Sequence, residues 1–511
     1  MVDAREYHER TKHSPASIRN DSFSLDFENQ PRPYKVYEDL PRVTPTESPR
    51  PPRAAALSAI ATATSEPESA AEEETAEIDA RTLHALCHYA TGVTKEIERQ
   101  GRRMRFRAAS CTGKLYHVDL YAVTGDLDGL DAGVYHFDPD TEAFDVLREG
   151  DYRGVLAEAT DSRDVATAPV TFVATSEWWR NAWKYRERTY RHAFWDSGTI
   201  LANLLAVAHG GGHRAAVVTG FADDPVADLL GVDPETEAPL ELVPVGSGDP
   251  VPDPRTVDPI DPTERPLSET VVDYPLVPDA WRQSRLTDAS EGEAWRDRVA
   301  ETAESGVVTH GMGDGETVSL DPVDAETASG RPVGATVERR GSLREYSHDA
   351  ISARLFATVM DRTLRGVPID CVTGGTGRLL DYYCLVHAVE GIPSGAYQYH
   401  PEENALERLG ETSRQTAGHL ALDQSVVGDA AVNVYLMADV DGLVERVGNR
   451  GYRLAQLLGG VGLGRLYLAT YAHRRLGGRG FTFYDDLVTE HLSPRAENQT
   501  PTTLFAFGKP T

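Results

Sequence analysis

Apolar and polar positions alternate along this chain in one order, and that order occurs twice. The first pass begins with apolar residues at helical spacing in "ARTLHALCHYATGV". A strand-like run follows in "HVDLYAVTG", then a hairpin around Gly133-Val134-Tyr135 and a second apolar strand in "PVTFVATS". A long helix rich in small residues comes next, and "LELVPVG" closes the unit. The second pass reads "ARLFATVMDRTLRGV", "DYYCLVHAV", a hairpin around Gly395-Ala396-Tyr397, "AVNVYLMAD", another long helix and "TLFAFGK". Gly133 and Gly395, Tyr135 and Tyr397, Tyr190 and Tyr452, and Gly198 and Gly460 share one offset of 262 residues. Upstream the offset is 273, since "IDAR" at Ile78 matches "ISAR" at Ile351, so the first copy carries about eleven more residues after its first helix. The pattern predicts an α+β unit with a mostly antiparallel sheet and a buried helix, present in duplicate.

The duplication sets the expected domains. Residues 1–41 form an N-terminal extension and 42–77 a linker rich in proline, alanine and glutamate. The first domain spans 78–246, a connecting region 247–330, and the second domain 331–511. Helical signals in 271–330 find no repeat partner at this level.

Charge alters the picture. With 51 Lys+Arg against 80 Asp+Glu the net charge is −29, which argues against nucleic-acid or anionic-membrane partners. Six of the 51 cations are lysine, and with acidic residues spread throughout, the surface reads as halophilic, suited to molar salt. The first residues lack the apolar core of a signal peptide and no stretch is long enough to span a membrane, so a cytoplasmic protein is expected. Cys87, Cys111, Cys371 and Cys384 have no C-x-x-C spacing, and His192, His209 and His213 look like a cluster but "AHGGGH" has no carboxylate at ligand spacing, so no metal site is expected.

The two copies differ in the residues that carry chemistry. Copy two opens with "ERRGSLREYS", placing Arg339, Arg340, Ser342 and Arg344 together as a phosphate requires; at the same offset copy one has "EPESAA". Copy one has Arg107 and Ser110 in "RFRAASCTGK", whereas copy two reads "PIDCVTGGTGR" with Cys371 and Gly374 in their places. Lys184 and Tyr185 of copy one fall on Arg446 and Val447. Complementary loss of this kind is expected when one site spans the interface between copies. Taken alone, "RRGSLR" also reads as a solvated helix start, and Lys184 as a surface lysine packed on Trp183.

These residues carry a resemblance. The run "AASCTGKLYHVDLYAV…AGVYHFDP…WKYRERTYRHAFWDSGTILANLLAVA…VTGF", about 110 residues, together with "RRGSLREYS", resembles a tandem member of the nitroreductase superfamily, specifically the SagB-type flavin dehydrogenases that oxidise peptide azolines to azoles. Cys111-Thr112 and His117 depart from that pattern. The resemblance implies two nitroreductase-like domains forming an intramolecular pseudo-dimer around FMN. Arg339, Arg340, Ser342 and Arg344, with Lys509 near the chain end, would hold the phosphate. Arg107 and Ser110 would approach the ring or ribityl chain, and a backbone amide at Thr470, taken as the match of Gly220 in "VTGF", would face flavin N5. One working flavin per chain follows. Aromatising an azoline removes a hydride and a proton, so Lys184 is expected as the base with Tyr185 as relay, because arginine cannot serve as a base near neutral pH. The implied partners are an azoline-bearing peptide and a cyclodehydratase. The alternatives are an NAD(P)H-dependent nitro or quinone reductase and a non-catalytic scaffold.

Overall fold

The computed structural model describes residues 2–60, 77–99, 101–323, 330–372 and 378–511. The "EPESAA" segment with the rest of 61–76 in the expected linker, and the glycine-rich run 373–377, lie outside the described residues.

Two antiparallel sheets carry the fold. The first contains β1 (Arg42–Val43), β4 (Val118–Thr124), β5 (Gly133–Asp138), β6 (Ala143–Glu149), β7 (Val170–Glu177) and β8 (Glu237–Val245), in the order β1-β6-β5-β4-β7-β8. A separate hairpin pairs β2 (Val93–Arg99) with β3 (Arg102–Arg107). The second sheet contains β9 (Thr317–Ser319), β10 (Asp381–Val386), β11 (Gly395–His400), β12 (Ala405–Gly410), β13 (Val432–Ala438), β14 (Gly477–Phe481) and β15 (Thr500–Gly508). Its order, β14-β15-β13-β10-β11-β12-β9, reproduces that of the first sheet with β14 added. The helices repeat too. Asp79 caps Ala80–Thr91 by accepting from the Thr82 amide at 2.7 Å, and Ser352, 273 residues on, caps Ala353–Leu364 by accepting from the Leu355 amide at 3.2 Å.

The long helices Thr189–Gly210 and Arg450–Ala472 are buried nearly all round, as their small and apolar residues require. They cross where Gly198 meets Gly460. A Cβ on Gly198 would stand 2.5 Å from the Gly460 backbone, and one on Gly460 would stand 2.6 Å from the Phe194 carbonyl oxygen. Only glycine lets the two backbones approach this closely.

Two buried ion clusters flank the crossing. Asp485 of the back half accepts from Arg191 of the front at 2.7 Å, with Arg188 at 3.4 Å. Asp223 of the front half accepts from Arg450 and Arg453 of the back at 2.5 and 2.8 Å. These residues are also related by 262. Each cluster is closed by a further segment. Arg191 donates to the His8 carbonyl and the Thr11 hydroxyl, and the His13 amide reaches Asp485. Arg453 donates to the Trp281 carbonyl and the Ser284 hydroxyl, and the Leu286 amide reaches Asp223. His8 and Trp281, Thr11 and Ser284, and His13 and Leu286 are each 273 residues apart. The region 271–330, expected to lack a counterpart, therefore repeats the amino-terminal segment.

The expected linker is corrected as well. Arg42–Val43 joins the first sheet through β6, as Thr317–Ser319 joins the second through β12, and Ala56–Ala59 packs on the long helices. An arginine-and-proline-rich sequence still forms an edge strand, where no continuous ladder is needed.

Among the described residues no helix is long and apolar enough to cross a membrane. Removing one member of a buried charge cluster strands the others, so Asp485→Ala should lower unfolding free energy by about 3–5 kcal/mol. The two arginines hold the Asp485 carboxyl well below the usual carboxylate range. Its contribution is complete above that ordinary range and is lost as pH falls below it. Denaturant titrations at neutral and acid pH should show the difference between wild type and Asp485→Ala shrinking in acid.

Candidate functional site

The serine turn is held from three directions. It begins at Arg107, where β3 ends, and passes through a short 3₁₀ turn at Thr112–Lys114 with Gly113 at φ 64°. From the long front helix, Asp196 accepts from the Thr112 amide at 2.9 Å and the Thr112 hydroxyl at 2.8 Å. One turn further on, Thr199 donates to the Ser110 carbonyl at 2.7 Å. Tyr185 presses on the turn from the helix Trp178–Tyr185; a Cβ on Gly113 would stand 2.7 Å from its hydroxyl. Gly113 therefore answers both to the positive φ and to the close contact.

The third hold comes from the back half. Arg340 donates to the carbonyls of Ala108 at 2.7 Å, Arg107 at 2.8 Å and Ala109 at 3.1 Å. The guanidinium of one copy thus grips the turn of the other, and its plane lies 5.5 Å from the Tyr467 ring centre. Ser342 and Arg344 follow on an exposed segment. That segment is anchored by the Leu343 amide on the Gly478 carbonyl at 3.2 Å and the Ser347 amide on the Lys509 carbonyl at 3.0 Å. Arg340, Ser342, Arg344 and Lys509 are therefore carried on adjoining backbone.

Arg339 and Thr470 depart from expectation. Arg339 donates to the carbonyls of Tyr471, His473, Arg474 and Leu476, at 2.7 to 3.3 Å. Its fork is spent on the end of the long back helix, where carbonyls lack helical partners, and it is not a phosphate ligand here. Thr470 lies in the last turn of that same helix, so its amide donates within the helix and is not free to face a ring. The sheet register gives the reason. Val218 bridges Leu242, and Phe481 pairs with Leu504, the residue 262 after Leu242, so the counterpart of "VTGF" begins at Phe481, beyond the long helix, and Gly220 corresponds to Phe483.

Arg107 is almost wholly buried. It lies between the Tyr34 and Tyr116 rings, 5.0 Å from each, and donates to Thr91, Val118 and Pro33. Burial lowers its pKa, and its Nε has no hydrogen-bond partner among the described residues. With Ser110, Cys111, Tyr116 and Asp196 it lines a narrow cavity. Lys184 Nζ sits 5.1 Å from the Tyr185 ring centre. Burial pushes the Tyr185 phenol up, Asp196 and Cys111 add to the rise, and Arg479 opposes it. Arg479 stands on β14 with its guanidinium 5.0 Å from the Phe481 ring centre. The sequence reading missed Arg479, although three arginines in "HRRLGGRGF" of so acidic a chain are a visible signal.

The mirror position is closed by main chain. The Val217 amide donates to Pro368 at 2.8 Å and the Asp370 amide to Val217 at 2.9 Å. The Asp370 carboxylate then accepts from Thr219 and Gly220 amides at 3.0 and 2.9 Å. By that register the counterpart of Val217 is Gly480, next to Arg479, and among the described residues no such pairing joins this strand to the serine turn. Among the described residues, donors suited to a phosphate and a buried guanidinium with one unpaired N–H are found on this open side, and they fit a flavin mononucleotide there.

The class follows from this arrangement and from comparison. Residues 69–247 match the Nitroreductase family, so the front half carries a nitroreductase-family domain and the whole is a mixed α/β nitroreductase-like fold. A Methanocaldococcus jannaschii protein named as a nitroreductase, MJ1384, is 26% identical over 169 residues, covering 32% of this chain and 80% of that protein. The microcin B17-processing protein McbC of Escherichia coli is 26% identical over 134 residues, covering 25% of this chain and 49% of McbC, about half its length. The crystal structure of a nitroreductase-class protein from Anabaena variabilis ATCC 29413 covers 100% of both chains with a TM-score of 0.77 at 22% identity, so the fold is shared end to end.

Arg340→Ala should release the turn while Arg339→Ala frays the helix end. Hydrogen exchange should report protection lost by about ten- to a hundredfold at the amides of residues 108–115 in the first variant. In the second the loss should fall at 471–476 instead.

Proposed function

We propose that the chain is an FMN-dependent oxidoreductase with one flavin, held between two nitroreductase-like halves that form an intramolecular pseudo-dimer, and that it dehydrogenates peptide azolines to azoles. The observation that carries this reading is the grip of Arg340 on the Arg107–Ala109 carbonyls, which joins the cationic segment of one half to the serine turn of the other. Arg344, Ser342 and Lys509 would hold the phosphate, with Arg479 beside them, and Ser110 and Arg107 would meet the ring or ribityl chain. A bound flavin supplies the hydride acceptor for this oxidation.

The remaining work falls to this chain. The proton leaving the adjacent ring carbon passes to Lys184 Nζ, either directly or through the Tyr185 hydroxyl that abuts Gly113. McbC, by name a processing protein for microcin B17, supports a peptide as substrate, and a cyclodehydratase that makes the azoline is the partner this chemistry requires. Transfer of hydride from a nicotinamide to a nitro compound or quinone needs no such base, and the Lys184–Tyr185 contact favours the dehydrogenase.

Purification in molar KCl should give a yellow protein with close to one FMN per chain, and Arg344→Ala should lower that ratio. Lys184→Ala should keep its flavin and lose about 10²–10⁴-fold in azoline oxidation, measured by the loss of two mass units from a peptide substrate. A colourless wild type would end the flavoenzyme reading, and undiminished oxidation by Lys184→Ala would end the base assignment alone.

A further inference from the structure

Cys111 and His117, on the connection between β3 and β4, meet Asp196 of the long front helix, and their ligand atoms all lie within 4.8 Å of one another. Cys111 Sγ is 3.1 Å from Asp196 Oδ2, and His117 Nε2 is 3.0 Å from the same oxygen. Metal bonds of about 2.0–2.3 Å at tetrahedral angles place ligand atoms roughly 3.3–3.8 Å apart, so the two pairs at Asp196 need to open by a few tenths of an ångström and the widest pair, within 4.8 Å, to close by at most about 1 Å. We propose that these residues form a binding site for a divalent cation of the zinc class.

The surroundings suit such an ion. His117 is fully buried and its Nδ1 is 2.8 Å from the Ser176 hydroxyl. When Nδ1–H donates to Ser176, the Nε2 lone pair is free for a metal, the outer contact that fixes a metal-binding imidazole. The Tyr116 amide donates to Cys111 Sγ at 3.0 Å and the Thr112 amide to Asp196, contacts that stabilise a thiolate and a carboxylate. The two anions cancel the charge of a dication, so no net charge is added to the interior. Binding releases the thiol proton to solvent and moves the imidazole proton from Nε2 to Nδ1. Cys111 and Asp196 both line the cavity beside Ser110 and Arg107.

The back copy has none of the three. At the corresponding positions it carries Gly375, Leu379 and Leu458, so the ligands are confined to the copy that keeps the serine turn. Sulfur, nitrogen and oxygen together select a borderline ion over magnesium or calcium. The site needs no flavin, so its test is independent of the activity proposed above.

The full chain, stripped with chelator in molar KCl, is titrated with Co²⁺. We expect one equivalent to bind with thiolate-to-cobalt absorbance in the near-ultraviolet difference spectrum, lost in Cys111→Ser, kept in Cys87→Ser and displaced by Zn²⁺. Absence of that band from the wild type, or its survival in Cys111→Ser, would overturn the proposal. Because Cys111→Ser also loosens the turn, a second measurement uses the wild type alone: Zn²⁺ should slow alkylation of Cys111 at least tenfold by peptide mapping. Labelling unchanged by Zn²⁺ would likewise overturn it.

Discussion

The approach of two helix backbones at Gly198 and Gly460 is the constraint on which the remainder of this molecule depends. Neither glycine can acquire a side chain without pushing the halves apart, because each would strike main-chain atoms of the other helix. Two glycines lie at equivalent positions of the two copies, so the halves meet about an approximate two-fold axis, as isologous partners do. The charge clusters follow from that axis. Each carboxylate reaches across it to a pair of arginines, and each pair is covered by a short helix and the turn after it, from the amino-terminal or connecting segment. Buried charge of this kind gives modest net stability but penalises any other docking heavily, so it specifies the arrangement more than it strengthens it.

Symmetry of framework makes the asymmetry of chemistry intelligible. A two-fold assembly offers two equivalent clefts, and the chain treats them differently. On one side Val217 and Asp370 close the gap with backbone hydrogen bonds, and a carboxylate occupies the amides that would otherwise face a ligand. On the other side the strand that matches Val217 makes no such pairing among the described residues, Arg479 stands on it, and the extra hairpin β2–β3 delivers Arg107 to the turn. Since the closed cleft holds the frame, the open one is relieved of that duty and can keep in its wall a guanidinium whose Nε has no partner among the described residues.

Much of this was legible in the sequence, because the offset of 262 is written in tyrosines and glycines whose side chains, or lack of them, perform a task. The amino-terminal repeat was not legible for an equally physical reason. His8 and Trp281 serve through their carbonyls, and His13 and Leu286 through their amides, so the side chains were free to diverge. Thr11 and Ser284 keep a hydroxyl, too small a trace to register among so many polar residues. The role of Arg339 was hidden likewise, since a guanidinium on helix-end carbonyls and one on a phosphate have the same sequence. Thr470 was misassigned because strand register, and not spacing along the chain, decides which loop faces which. Cys111, His117 and Asp196 went unread as a group because their meeting is a product of the fold alone.

The scarcity of lysine has a structural pattern that bears on Lys184. Lys35 is buried between Glu237 and Glu264, Lys12 pairs with Glu9 and Asp486, and Lys114 stands 4.5 Å from the Phe106 ring centre. A compact ammonium on a flexible stem fits such narrow sites, whereas the broad guanidinium fork serves the many-carbonyl grips of Arg339 and Arg340. Survival against the lysine-poor background therefore does not by itself single out Lys184, since other retained lysines also fill specific contacts. What sets it apart is its neighbour: Tyr185, on which its ammonium lies, touches the one residue of the serine turn that must be glycine. The case for chemistry at Lys184 thus rests on where the helix Trp178–Tyr185 ends, and that end is fixed by the same turn that Arg340 holds from across the interface.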